Sequence, residues 1–495
     1  MSNFMKARFL IIFLILNLFA VSCSDNDDEI EEPLPEQNTE IQDYIWKGMN
    51  LWYFWQADVP NLADNKFTTT EAYENFLKTE EDPEEFFENL IYDRTNSDKW
   101  SWIVDDYIEL ENSFQGISKS NGVEYGLTLL SNNDVYGYVR YILPNSDASN
   151  KPIKRGDLFT KVNGTQLTLD NYRTLLFGAN DTYTLSLAKI ENNTIVPTNV
   201  DVTLTQVEYT ENPVYIAKVI PVGGKKIGYL MYNGFTSSFD NQLNDAFLLF
   251  KNEGITDLVL DVRYNPGGSV RTAVSLAGMI TGQFKDQLFT RERWNNKLQA
   301  EFEKNYPDFL VNNFTDKLAN GNLINSLNLN KVHVITSRSS ASASELVVSG
   351  LQPYITVKLV GDKTVGKYVA SITLYDSEDF GRQGANPNHK YAMQPIVLEE
   401  INKVGGSSKG GLIPDIALRE DHANLGVLGD VSEPLLNAAI SDITGLPRKI
   451  QRTDKMLYEH LTDSKMMTPT GDNMYIEKKE LGRILSEKKF FVPVK

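Results

Sequence analysis

The stretch KVHVITSRSSASASELVVSGL, residues 331–351, decides the fold class. KVHVITS has the β-branched, apolar composition of a strand, and ASELVVSGL the apolar spacing of a helix. Small residues crowd the turn between them. The same alternation continues on both sides. KKIGYLMYNGF (225–235) reads as strand, FDNQLNDAFLLFKNEG (239–254) as a helix stopped at Gly254, and ITDLVLDVRY (255–264) as strand. SVRTAVSLAGMI (269–280) reads as helix, and ITVKLVGD (355–362) and YVASITLYD (368–376) as strands. Strands alternating with helices predict an α/β sheet covered by helices, over about residues 208–430.

The turn allows two readings. Ser342 and Glu345 fit S-x-x-E, a capping box, and an N-cap serine contributes roughly 0.5–2 kcal/mol of stability. The same position suits a nucleophile. Its Ala and Ser neighbours leave room for a carbonyl, and the first N–H groups of the helix lack partners and could hold an oxyanion. A second polar turn, Asn265-Pro266-Gly267-Gly268, ends the strand LVLDVRY. Its glycines let the backbone approach a ligand closely.

A serine nucleophile needs a base. The four histidines, His333, His389, His422 and His460, have no supporting pattern, though sequence distance excludes none of them. Lysine serves when burial disfavours the ammonium. Lys367 lies in GDKTVGKY (361–368), which superficially resembles a phosphate-binding loop. That loop requires a Ser/Thr after the lysine and a helix opening there. Here Tyr368 follows, then β-branched residues that continue as strand. Nucleotide is therefore not expected, and Lys367 is the candidate base.

Outside this region the chain changes character. Residues 41–112 read as helical, with Trp46, Trp52 and Trp55 packing a core or interface. Residues 113–207 show short strands with one helix, LDNYRTLLFG. Their order resembles a bacterial PDZ domain, carried by Tyr125-Gly126-Leu127, ILPNSDA (142–148) and KRGDLFTKVNG (154–164). The resemblance implies a peptide added as a strand at the sheet edge, its terminal carboxylate met by N–H groups around Tyr125, Gly126 and Leu127. Residues 431–495 read as a mixed C-terminal extension.

Lys6 and Arg8 precede the apolar run FLIIFLILNLFAV, a secretory signal layout. It ends at Cys23, the one cysteine of the chain, in a context resembling a bacterial lipobox. Residues 1–23 are thus expected to be a lipoprotein signal. Residues 24–40, acidic and polar, are expected to be a disordered tether. The expected location is the outer membrane, on its periplasmic face or at the cell surface. The formal net charge of −18 argues against a nucleic-acid partner.

Four blocks in one order resemble the C-terminal processing, or tail-specific, serine peptidase family. They are IGYLMYNGF (227–235), DLVLDVRYNPGG (257–268), SASASE (340–345) and GDKTVGK (361–367), with GLIPDIAL (411–418) similar to a closing block. The resemblance implies a crotonase-like α/β catalytic domain preceded by the PDZ-like and helical domains. It implies peptide-bond hydrolysis with Ser342 as nucleophile and Lys367 as base. The implied oxyanion donors are the Ala343 N–H and that of Gly267 or Gly268. Ser371 stands where the family often has a lysine-orienting glutamine. Protein or peptide substrates, with no metal and no cofactor, are implied. The other reading is an envelope lipoprotein of weak or no activity that binds peptides or polymer fragments. The oligomeric state is open.

Overall fold

A computed structural model describes residues 38–447, 459–468, 471 and 473–477. Cys23 and most of the tether lie outside them. The main sheet has six strands in the order Val214–Val222, Lys225–Tyr232, Asp257–Asp261, Lys331–Thr336, Thr356–Gly361, Ile416–Ala417. The first two form an antiparallel hairpin; from the second onward neighbours run parallel. Helices cover both faces, so both faces must be apolar, and the strands read as nearly unbroken hydrophobic runs for that reason. Leu230 and Tyr232 face the core under helices Asp240–Glu253, Val270–Ile280 and Ala343–Leu351. Ile227, Tyr229 and Met231 face the core under helix Pro434–Thr444. This is the two-residue period of a strand buried twice.

Strand Asp257–Asp261 is shorter than the sequence suggests. The Asp261 carboxylate accepts both the backbone N–H and the guanidinium of Arg263. That local pairing turns the chain out of the ladder before Tyr264.

A second six-stranded sheet runs Gly268–Ser269, Met474–Tyr475, Val369–Ser371, Ile396–Asn402, Leu288–Trp294, Val311–Asn313. The N-terminal helix Glu40–Trp52 packs into the core shared by these sheets. Trp52 meets Trp294 with ring centroids 6.3 Å apart. Trp46 and Trp52 are core residues, as expected, and Trp55 packs partly buried against the same core.

The strands of residues 117–210 build a smaller β-domain with its own core around Leu127, Val139, Phe159 and Leu185. Its stem is the antiparallel pair Ile117–Ser120 with Val207–Thr210. Its sheet has the order Glu459–Asp463, Val123–Leu129, Val135–Ile142, Leu158–Val162, Thr182–Glu191, Thr194–Thr205. The described segments after residue 431 are therefore woven in rather than appended. Pro434–Thr444 covers the main sheet, Glu459–Asp463 edges the small domain, and Met474–Tyr475 joins the second sheet.

Candidate active site

Three loops leave the carboxyl ends of three adjacent parallel strands, the position where α/β sheets place their sites. They are the Asn265–Gly268 turn, the serine turn ending at Ser342, and the loop ending at Lys367. Ser342 is fully buried, with φ +64° and ψ −119°. A non-glycine residue held there costs on the order of 1–3 kcal/mol, and such strain persists only where the surroundings impose it. Ser342 and Glu345 stand at the two ends of a capping box, as the sequence indicates. The Glu345 half is an ordinary hydrogen bond, Ser342 N–H to Oε2 at 2.8 Å. Ser342 Oγ, by contrast, sits toward the Glu345 N–H in the capping position but makes no hydrogen bond of ordinary geometry among the described residues.

Glu345 does more than cap. Its Oε2 also accepts the Lys367 N–H at 2.9 Å, and its Oε1 accepts the Gly366 N–H at 2.7 Å and the Thr364 hydroxyl. One buried carboxylate thus fastens the lysine loop to the serine turn. Burial pushes this carboxyl up to about 7, against the pull of those four donors. Gly366 is required at this junction: at φ +97°, a Cβ would lie 2.5 Å from the Gly411 nitrogen.

Asn265, which sequence reasoning treats as an ordinary turn residue, is the second fastening point. It is fully buried. Its side chain donates to the Tyr232 carbonyl at 2.9 Å and accepts the Gly267 N–H at 2.9 Å. Its carbonyl accepts the Ala341 N–H at 3.2 Å and the Ser344 hydroxyl at 3.0 Å. The glycine turn is thereby held against the serine turn. Gly267, at φ +118°, lies so close that a Cβ there would sit 2.5 Å from Ser342 Cβ. The only sequence signal for this role was an asparagine ending a buried strand.

The structure corrects three assignments. Gly267 N–H is committed to Asn265, and Gly268 lies between Phe235 and Met474, paired with both, while Ala343 stands at the first position of its helix. Ser371 is buried, but its hydroxyl donates to the Met474 carbonyl at 3.2 Å rather than to Lys367. Its strand, pinned between Ile396–Asn402 and Met474–Tyr475, sets that direction. Lys367 instead has its Nζ 5.8 Å from the centroid of the Trp100 ring.

The third correction concerns Tyr125, Gly126 and Leu127. Leu127 pairs with Thr462 and Gly126 with Asp463 in an antiparallel ladder. The Tyr125 N–H donates to Ser464 Oγ at 3.1 Å, and the Tyr125 carbonyl accepts the Ser464 N–H at 2.9 Å. The edge expected to take a peptide is occupied by the chain's own strand. Leu461 and Met467 pack on that domain's core. Asp463 also ties this strand to the serine turn: it pairs with the Arg140 guanidinium at 2.9 Å and accepts the Ser339 hydroxyl at 2.6 Å.

None of the four histidines bonds Ser342. His333 and His389 bond Asp442 and Asp376. His422 bonds the Tyr136 hydroxyl and stacks on Tyr138, and burial drives it down to about 3. Burial likewise lowers His460 to about 4. Among the described residues no cluster of three or more His, Cys, Asp or Glu side chains could hold a metal, and no helix is long and apolar enough to cross a membrane.

Comparison with known proteins adds a family to this geometry. Residues 226–384 match the model of peptidase family S41, and residues 40–102 that of the peptidase S41 N-terminal domain. The chain belongs to peptidase family S41. It is a serine-type peptidase by that membership. This S41 peptidase is 23% identical over 386 residues to a protein of Staphylococcus aureus (strain MRSA252) named a CtpA-like serine protease, covering 71% of each chain. It is also 23% identical over 352 residues to a protein of the same name from strain COL, covering 70% of this chain and 60% of that one. A crystallised S41 protease of Bacteroides fragilis NCTC 9343 superposes with a TM-score of 0.62 at 25% identity, over 81% of this chain and 97% of that one.

Proposed function

We propose that this S41 peptidase is an endopeptidase that cleaves exported proteins or peptides through an acyl-enzyme on Ser342, with Lys367 as base. The observation that carries this reading is the shared carboxylate oxygen: Glu345 Oε2 receives the N–H groups of both Ser342 and Lys367. A serine turn and a lysine loop drawn from different strands have no structural need to meet in a dry site with the serine hydroxyl left without a hydrogen bond of ordinary geometry. Lys367 Nζ takes the Ser342 proton as Oγ attacks the scissile carbonyl. The Ala343 N–H faces the developing oxyanion beside the glycine turn. Lys367 returns the proton to the leaving amine, and water then hydrolyses the ester. The catalytic body is crotonase-like and the 117–210 domain PDZ-like, its peptide edge covered in this state by residues 459–463.

The test compares degradation of an unfolded protein by wild type, Ser342→Ala and Lys367→Ala. Loss of cleavage in both variants, with unchanged melting temperature, is expected. Equal activity in all three would eliminate the dyad. We further propose that Cys23 is lipidated and anchors the protein at the outer membrane, on the periplasmic face or the cell surface. Labelling with an alkyne fatty acid should mark wild type and not Cys23→Ser; label on both would refute it.

A further inference from the structure

A cavity of about 610 Å³ opens between the small β-domain, the stem that carries it, and the glycine turn. It reaches Gly267 and Gly268, and Gly267 in turn packs against Ser342. Four asparagines line it, and two of them, Asn233 and Asn473, are buried to more than nine-tenths beside the glycine turn. Among the described residues neither amide has a hydrogen-bond partner at its oxygen or its nitrogen, four buried polar atoms in all. Buried amides are ordinarily satisfied, so two unsatisfied ones facing one cavity call for an explanation.

Their placement is fixed although their side chains are unused. The Asn233 N–H donates to the Pro213 carbonyl and its own carbonyl accepts Lys465 Nζ, both at 2.9 Å. Phe235, Gly268 and Met474 lie side by side in parallel register, so Asn233 and Asn473 flank the glycine turn on either side. A carboxamide offers one acceptor and one donor group in a plane. That is the complement of the C=O and N–H of an extended peptide. Two such groups astride the glycine turn suit a main chain, which repeats that pair of groups at every residue.

We propose that Asn233 and Asn473 are a main-chain clamp, holding an extended polypeptide in this cavity with its scissile carbonyl at Gly268 and Ser342. The assignment rests on the peptidase reading for its consequence in catalysis, but binding itself does not require turnover. Because the clamp reads backbone, it tolerates diverse side chains at the residues it holds. Asn233 and Asn473 are positioning residues; the bond-making stays with Ser342.

The experiment has two arms. In the first, a fluorescein-labelled, unfolded casein peptide is titrated into Ser342→Ala protein, with and without Asn233→Ala or Asn473→Ala, so that no cleavage occurs. Each substitution should weaken binding at least tenfold. In the second, unfolded casein is cleaved by Asn233→Ala, Asn473→Ala and Asn233→Asp enzymes. KM should rise about tenfold or more for the alanine variants with kcat within threefold, and Asn233→Asp should fall between them and wild type. Melting temperatures should hold or rise, since each alanine removes an unpaired buried amide. Unchanged peptide affinity in the Ser342→Ala background would overturn the clamp. So would a melting temperature that falls in step with affinity, which would make the amides structural. Tight, asparagine-dependent binding in a protein that cleaves nothing would uphold the clamp and refute the peptidase reading alone.

Discussion

Ser342 and Lys367 hang from one atom: their backbone N–H groups both donate to Glu345 Oε2, at 2.8 and 2.9 Å. Glu345→Gln leaves a single acceptor oxygen and turns an NH₂ group toward N–H donors. Each buried donor left unpaired costs about 1–3 kcal/mol. The variant should lose several degrees of melting temperature and at least tenfold in kcat/KM, measured by calorimetry and by proteolysis.

The same carboxyl sets a pH dependence. Burial raises it from 4.5 to about 7 in the folded state. Its folded pKa exceeds its unfolded one, so its linkage contribution to stability is fully present below 4.5 and is lost as pH rises through about 7. Activity runs the other way. Protonation removes an acceptor from the junction, so turnover should rise with pH across an inflection near 7. The wild-type minus Glu345→Gln difference in melting temperature, followed from pH 4.5 to 8, should decline with pH. His422 and His460, held low by burial, cannot supply that inflection. Alanine at either should leave its position unmoved.

Gly267→Ala should be more damaging than its size suggests. The new Cβ would lie 2.5 Å from Ser342 Cβ and 2.7 Å from the Asn473 carbonyl, at a φ of +118°. Overpacking and backbone strain together cost about 1–3 kcal/mol or more. Turnover should fall at least a hundredfold. Retention of wild-type kcat would show that the glycine turn can withdraw from the serine.

Arg140 and Asp463 form an ion pair buried on both sides, with Ser339 as third partner. Asp463→Ala strands the guanidinium, a loss of about 3–5 kcal/mol for a buried pair. Its first effect should be local. Amide exchange should speed up in residues 123–129, which the 459–463 strand covers. Asp463 is held below its ordinary value, chiefly by Arg140 against the effect of burial. The stability it contributes is present above its unfolded value of 3.8 and is lost only as pH falls below that.

Arg263 is fully buried, paired to Asp261 at 2.8 Å and to Glu433 at 2.7 Å. It braces the glycine turn two residues before Asn265 and ties it to the helix Pro434–Thr444. Arg263→Ala should destabilise the protein by about 3–5 kcal/mol by denaturant titration. An Arg263→Lys enzyme should recover only part of this, lacking the planar fork.

The alternation of strand and helix from Lys225 to Leu351 was legible because each element carries its own period. The unbroken burial of 227–232 and the helical spacing of 343–351 follow from local sequence. Ser342 and Lys367 were legible for a related reason: a serine opening a helix and a lysine closing a glycine loop sit at ends of those elements. Three things only the tertiary structure decided. Glu345 gathers donors from two loops, and a capping box reveals one of them. Ser371 spends its hydroxyl on Met474, a partner 103 residues away that no local pattern names. The edge at Tyr125–Leu127 is filled by residues 459–464, because a strand's free N–H and C=O groups are satisfied by whichever segment the whole fold brings beside them. Sequence determines what each segment can offer; long-range packing alone decides who accepts it.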